Sequence, residues 1–240
     1  MLDERLSLVY EMIEPCGLGA DIGTDHGQLA SALLRAGRCE RMILTDLSES
    51  ALSHAREEMI RCRLTDRVSL RLGDGLAPLA EKCDFISITG MGGRTIRDIL
   101  IQGQGRLMGA SLVLSAHTDL PMVRRAVMEI GYHFDREEPC LAAGRYYLVM
   151  RARPGREELT ERQIRMGVRL AESGSPLLGD WYRRRLVVLR ERQKGLRSAA
   201  EPDEGMMAEI EEDIQAYCGL IETSMEVNEK NEGSGDFGAD

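Results

Sequence analysis

Along the first 150 positions, short apolar runs alternate with stretches in which apolar residues recur every three to four positions. The short runs predict buried strands, and the 3.6-residue spacing predicts helices packed against them. The first strand ends in GADIG at 19–23, ahead of a helix over 28–36 with Leu29, Ala32, Leu33 and Ala36 on one face. A second strand over 41–46 leads to a helix reaching about Arg61, with Ser48 or Ser50 as its cap. Further strands are expected at 68–72, 85–89 and 111–115, the last two followed by helices to Leu100 and over 120–130. Residues 132–141 and 145–152 then read as two strands with no helix between them, joined by Ala-Ala-Gly as a hairpin. Alternation of this kind predicts an α/β fold with a mostly parallel seven-stranded sheet, helices on both faces and antiparallel pairing at one edge.

The texture changes after Arg153-Pro154-Gly155. Residues 157–172 and 181–198 are expected to be helical, the second capped by Asp180 and carrying Trp181, Leu186, Leu189 and Leu196 as a stripe. A turn at 201–205 precedes a helix from Met206 to about Glu222, with Ile210, Ile214, Tyr217 and Ile221 on one face. The two longer helices are expected to pair as an antiparallel coiled-coil hairpin. The division anticipated is residues 1–155 as the α/β domain, 156–227 as a helical domain and 228–240 as a disordered tail.

Net charge is −9, which by itself argues against a nucleic-acid partner. The charge is unevenly placed. Residues 1–150 carry −4, residues 151–199 carry +7 from 13 basic and 6 acidic side chains, and residues 200–240 carry −12. The basic block therefore keeps an RNA partner open, with Arg183, Arg184, Arg185, Arg190, Arg192, Lys194 and Arg197 on one helix and Arg162, Arg165 and Arg169 on another. The competing reading pairs these arginines with the acidic helix at 204–213. Six scattered cysteines without a C-x-x-C pair point to free thiols rather than a disulfide framework or zinc ribbon, so no metal is expected. No apolar run is long enough to span a bilayer, and the N-terminus has no secretory pattern, so the expected setting is the cytoplasm without membrane association.

In a parallel sheet, ligands bind beyond the carboxyl ends of the strands. The first such loop, Asp21-Ile22-Gly23-Thr24-Asp25-His26-Gly27, lacks the G-x-G-x-x-G spacing of nicotinamide binders and adds a second carboxylate. That second acid disfavours a pyrophosphate and suits a cationic ligand such as S-adenosyl-L-methionine. Asp46 ends the second strand, where a carboxylate can accept both ribose hydroxyls of an adenosine, with Leu47 beside it. Gly73-Asp74-Gly75 ends the third, where an acid can meet an adenine amino group. Singly, Asp46 is equally a helix cap and Asp74 equally an ordinary turn; three acids at successive strand ends are far more specific. Gly90-Met91-Gly92-Gly93 ends the fourth strand and leaves backbone open for a methyl donor or a flat ring.

D-I-G-T-D-H at 21–26, G-D-G-L at 73–76 and I-T-G-M-G-G at 88–93 occur in an order and spacing that resemble the bacterial tRNA (adenine-22-N1)-methyltransferase family, TrmK. The resemblance covers roughly residues 2–225. It implies a Rossmann-like class I methyltransferase domain, S-adenosyl-L-methionine as donor and N1 of adenosine 22, in the D-arm region of tRNA, as acceptor. Donor binding would fall to Asp21, Gly23, Asp25, His26, Asp46, Leu47, Gly73, Asp74, Gly75, Gly90, Met91 and Gly92. Asp25, His26 and Met91 would stand nearest the chemistry. Arg5 matches the arginine of the family's N-terminal S-x-R-L, with Asp3 in place of the serine; Tyr147 matches a last-strand tyrosine, and His117 is a second candidate to orient the base. Where Gln-Pro-Asn is expected after the fifth strand this chain has Ser115-Ala116-His117, a departure on the acceptor side. N1 of adenine carries an in-plane lone pair, so orientation and an unpaired base are required rather than a strong base. A methyltransferase acting on another RNA, a small molecule or a protein is the alternative; a non-enzymatic partner-binding protein is the other. A monomer is expected rather than a homodimer.

Overall fold

The computed structural model describes residues 2–198 and 203–233, with side chains through residue 223. Seven strands form one sheet: β1 (Cys16–Ile22), β2 (Cys39–Asp46), β3 (Val68–Leu72), β4 (Phe85–Met91), β5 (Ser111–Ala116), β6 (Tyr132–Ala142) and β7 (Arg145–Pro154). Their order is β3-β2-β1-β4-β5-β7-β6. The first five pair in parallel, and β7 runs antiparallel to both β5 and β6. The chain thus winds outward from β1 in one direction and from β4 in the other. This leaves a crevice past the carboxyl ends of β1 and β4, where a ligand can reach backbone from both strands.

The two faces bury separate cores. On one face α1 (Glu4–Met12), α2 (Gln28–Arg35) and α3 (Glu49–Arg61) supply Val9, Met12, Leu33, Leu34, Ala55 and Met59 against Met42, Leu44, Phe85 and Val113. On the other, α4 (Gly93–Gln102) and α5 (Leu120–Glu129) cover Ile22, Ile43, Ile86, Ile88, Leu112 and Leu114. Strands buried on both faces read as continuous apolar runs, which is why their positions were legible in the sequence. Ser48 caps α3, and Ala143 and Gly144, both at positive φ (48° and 74°), close the β6–β7 hairpin in the backbone twist that suits a two-residue turn.

The segment after β7 departs from expectation. Residues 157–172 are not one helix. Thr160 and Gln163 form a capping box on a short α6 (Glu161–Met166), which stops at Gly167 (φ 127°) before a single tight turn at Leu170–Glu172. A β-carbon at Gly167 would fall 2.9 Å from Leu170 Cβ. The break is held by Glu137 of β6, fully buried, whose carboxylate accepts from the backbone N–H groups of Val168 and Arg169 and from Arg124 Nε (2.8 Å) of α5. Arg124 also donates to Ile164 O (3.0 Å).

The next helix, α7 (Leu178–Arg197), starts ahead of Asp180, which lies in its first turn and pairs with Arg183 instead of capping it. It packs antiparallel on α8 (Glu204–Gly233), with Tyr182 and Tyr217 rings 5.8 Å apart. Trp181, Tyr182, Leu186, Leu189, Ile210 and Tyr217 are continuous with the apolar core on the α4–α5 face, so the base of the helical pair rests on the α/β layer. Helix α8 extends past Glu222 through the first residues of the anticipated tail; residues 234–240, the rest of that tail, lie outside the described residues.

Candidate active site

Asp21 closes β1 and is almost wholly buried. Its carboxylate accepts from Ser87 Oγ (2.7 Å) on β4 and from Thr24 Oγ1 (2.9 Å). Burial pushes its pKa above the ordinary carboxylate value, partly offset by these two hydrogen bonds and by the nearby Arg5 charge. The chain then turns sharply, with Gly23, Asp25 and Gly27 all at positive φ (73°, 49° and 65°). Asp is one of the few side chains that tolerates this conformation, which accounts for a non-glycine residue at Asp25. Two backbone N–H groups, of Gly23 and Thr24, anchor the turn on Thr45 O, and Asp25 N reaches Asp46 Oδ2 at 3.4 Å. The carboxylates at the ends of β1 and β2 are therefore held around one loop.

From β4, a β-bulge between Thr89 and Met91 redirects the chain, and Gly90 takes φ 78°. Met91 folds back over the first loop, its Cε 2.1 Å from where a β-carbon at Gly23 would stand; the φ of 73° is what favours glycine there. Arg5 enters from α1, whose N-terminus Asp3 caps by accepting from Leu6 N at 2.7 Å. Asp at this position does the capping that a serine would. The Arg5 guanidinium lies 5.5 Å over the Tyr147 ring, and its Nη1 is buried with no hydrogen-bond partner among the described residues. A cavity of about 340 Å³ results, lined by Asp3, Arg5, Leu6, Asp21, Gly23, Thr24, Asp25, His26, Gln28, Leu29, Thr89, Gly90, His117 and Tyr147.

The other predicted donor residues, Asp46, Leu47, Gly73, Asp74, Gly75, Met91 and Gly92, do not line this cavity. Asp46 is half-buried and also accepts from Ser48 N at 2.9 Å; Asp74 is exposed. Gly75 is tied to β2 through its carbonyl, which accepts from Thr45 Oγ1 at 3.4 Å, and Gly73 packs where a β-carbon would strike Pro78. Leu47 is 71% exposed and Leu72 52%, leaving two large apolar side chains in water at the ends of β2 and β3. Gly92 caps α4 beside Thr118, and Gly93 packs directly on the 118–119 backbone.

His117 and Tyr147, edge to face at 5.6 Å, stand at the junction with a second cavity of about 540 Å³. Thr118, Asp119, Arg145, Tyr146, Trp181, Arg184, Arg185 and Val188 line it. Burial, together with the charges of Arg5 and Arg145, lowers the His117 pKa and favours its neutral form. Of this group the sequence had singled out only His117, Tyr147 and the α7 arginines. Arg145 and Tyr146 are newly placed, with R-Y-Y after the hairpin turn as their sequence signal, and Trp181, expected only in the apolar stripe of its helix, also walls this cavity.

The basic block divides. Arg165 pairs with Asp213 and Glu212 of α8, Arg169 with Glu157 and Glu172, and Arg183 with Asp180; Arg192 donates to Met206 Sδ. No ion pair joins Arg184, Arg185, Arg190, Lys194 or Arg197 to another described residue. Among the described residues, acidic side chains of α8 thus take up Arg165 of α6 and form no ion pair with the arginines of α7. All six cysteines are free.

A family profile described as a methyltransferase domain matches residues 2–150. A Bacillus subtilis (strain 168) protein named tRNA (adenine(22)-N(1))-methyltransferase is 29% identical over 156 residues, 64% of this chain and 66% of that one. The chain therefore spans just under two thirds of that curated relative. Among solved structures, Streptococcus pneumoniae Sp1610, described as a candidate tRNA (m1A22) methyltransferase, superposes with a TM-score of 0.83 at 25% identity, covering 92% of this chain and 100% of that one. Its complex with S-adenosyl-L-methionine superposes at 0.81 and 24% identity with the same coverage, a likeness of fold.

Proposed function

The chain belongs to the methyltransferase domain family, and from that premise we propose that it methylates N1 of adenosine 22 in tRNA, with S-adenosyl-L-methionine as donor. The observation that carries this reading is the meeting of two cavities at His117 and Tyr147, one lined by carboxylates and the other rimmed by arginines. The names borne by the Bacillus and Streptococcus relatives support the choice of acceptor.

The donor set fits the molecule. S-adenosyl-L-methionine supplies an electrophilic methyl on a sulfonium. Asp21 and Asp25 put negative charge beside that cation, and Arg5, with a buried and unpartnered Nη1, suits its carboxylate. Asp46 is the acceptor for ribose hydroxyls and Asp74 for the adenine amino group. Leu47 and Leu72, exposed at the ends of β2 and β3, would give that ring apolar cover. Gly90 and Met91 border the reacting methyl, where open backbone at the bulge leaves room for an incoming base.

On the acceptor side, N1 attacks through its own lone pair, so the protein's tasks are orientation and exclusion of water. His117, held neutral, can accept from the adenine amino group. Tyr147 offers an aromatic surface to an extruded base. Arg145, Arg184 and Arg185 border the entrance and suit the phosphates of a folded RNA. His26 faces the donor cavity and serves orientation there, not proton transfer. Recognition of the D-arm region, action as a monomer and a cytoplasmic location belong to the same reading; no described helix is long and apolar enough to cross a membrane.

The direct test is methyl transfer from labelled donor to total bacterial tRNA, with the modified position mapped. Label at position 22 as N1-methyladenosine is expected. Transfer to a protein or small molecule but not to tRNA would overturn the acceptor, and no donor binding at millimolar concentration would overturn the reading altogether.

A further inference from the structure

The cysteines argue against a metal, but a cluster of a different kind forms beside the donor cavity. The ligand atoms of Asp25, His26 and His54 lie within 4.8 Å of one another. His26 and His54 come from different elements, the β1–α2 loop and α3, yet their rings stack at 4.9 Å and 19°. Both are exposed, and neither makes a hydrogen bond to another described residue; His26 Nε2 lies 3.6 Å from Asp25 Oδ1. Two imidazoles stacked in water gain little from each other and leave four ring nitrogens for other partners. The adjoining cavity of about 350 Å³ adds Gln28, Glu57, Glu58 and Arg61 to the two histidines, with Glu58 and Arg61 paired to each other.

We propose that Asp25, His26 and His54 form a binding site for a Zn²⁺-class divalent ion, and that its occupancy opposes binding of the methyl donor. Two imidazoles and one carboxylate are the donor types that borderline transition metals select, whereas Mg²⁺ and Ca²⁺ take oxygen ligands. Zn–N and Zn–O bonds of about 2.0–2.2 Å bring ligand atoms nearer than 4.8 Å, so an ion would draw the three side chains together by small rotations. Nothing obstructs this, because all three are exposed. A fourth position would remain for water. His26 is the link to function, since it lines both the donor cavity and the neighbouring one. Clamping it to α3 would fix the turn that carries Asp25 next to Asp46. The antagonism rests on the donor reading given above; the metal site itself does not.

The test uses the full chain stripped with chelator. Calorimetric titration with Zn²⁺ and visible absorption on adding Co²⁺ should report one site per chain, with d–d bands and no thiolate charge-transfer band. His54→Ala, an exposed helix-surface change outside the donor machinery, should weaken the site at least about tenfold, the lower end for disturbing a metal site's supporting groups. Zn²⁺ should raise the apparent Kd for S-adenosyl-L-methionine in the wild type and not in His54→Ala, a comparison that cancels chelation of Zn²⁺ by the donor. Equal Zn²⁺ affinity in the two proteins, a thiolate spectrum, or a donor Kd indifferent to Zn²⁺ in the wild type would each overturn the proposal. Failure to bind the donor in the absence of metal would instead overturn the donor-site reading, with the Co²⁺ spectrum still deciding the metal site.

Discussion

Replacing Glu137 by alanine isolates the contact that joins the helical segment to the sheet. Its carboxylate is 0% exposed and serves three donors, Arg124 Nε and the backbone N–H groups of Val168 and Arg169. Alanine would leave a guanidinium that is 1% exposed with only Ile164 O for a partner. Breaking one side of a buried ion pair costs about 3–5 kcal/mol, because the remaining charge stays desolvated. Each orphaned N–H adds about 1–3 kcal/mol, reduced by relaxation and by water entering the gap. A loss of about 4–5 kcal/mol is therefore expected, a large part of the roughly 5–15 kcal/mol available to a native protein. The assay is urea unfolding followed by circular dichroism, with thermal scans expected to fall by about 10 °C or more at 2–4 °C per kcal/mol. The double replacement Arg124→Met with Glu137→Leu removes both charges and should be far less damaging than the sum of the single changes. Glu137→Ala costing under about 1 kcal/mol, or a double mutant as damaged as that sum, would refute the argument that this pair holds the break after α6.

Asp21→Asn should weaken donor binding about 10- to 100-fold, equivalent to the 1.5–3 kcal/mol of a hydrogen bond to a charged group, measured by calorimetry. Because burial raises the Asp21 pKa, its contribution to apo stability is full below the unfolded carboxylate value and is lost as pH rises through the raised value. Asp21→Asn should therefore stabilise the ligand-free protein near neutral pH. A cationic donor favours the carboxylate, so its affinity should fall with decreasing pH, by at most tenfold per unit, and the mutant should lack that slope. Arg184→Ala with Arg185→Ala should leave donor Kd unchanged while lowering tRNA affinity and reducing the salt slope by about 1.5, close to 0.7–0.9 per phosphate contact. Gly93→Ala places a β-carbon 2.5 Å from Thr118 O and 2.7 Å from Asp119 O. It should cost about 1–3 kcal/mol by overpacking against backbone and raise the KM for tRNA through displacement of the loop bearing His117.

By itself, the order of residues settled the α/β layer and the places of the glycine- and acid-bearing loops at its strand ends. Buried parallel strands are short apolar runs, and their C-terminal loops need glycine or acid at set places, so D-I-G-T-D-H, G-D-G and G-M-G-G could be read locally. Even Asp25, a non-glycine residue at positive φ, is a matter of local backbone conformation. The helical segment was read less well for the same reason. Residues 157–172 have helical composition, but a buried carboxylate about 30 positions earlier captures the Val168 and Arg169 N–H groups and ends the helix at Gly167. Only the tertiary structure separated the paired Arg165, Arg169 and Arg183 from Arg184, Arg185, Arg190, Lys194 and Arg197 of α7, which have no ion pair with another described residue. It alone brought Arg145, Tyr146 and Trp181 into the wall of the cavity that meets the first one at His117 and Tyr147, and His54 beside His26. Helix and strand preferences act over a few residues and are written in the local pattern. Charge pairing and cavity walls depend on distances between segments far apart in the chain, and those distances exist only once the two cores have packed.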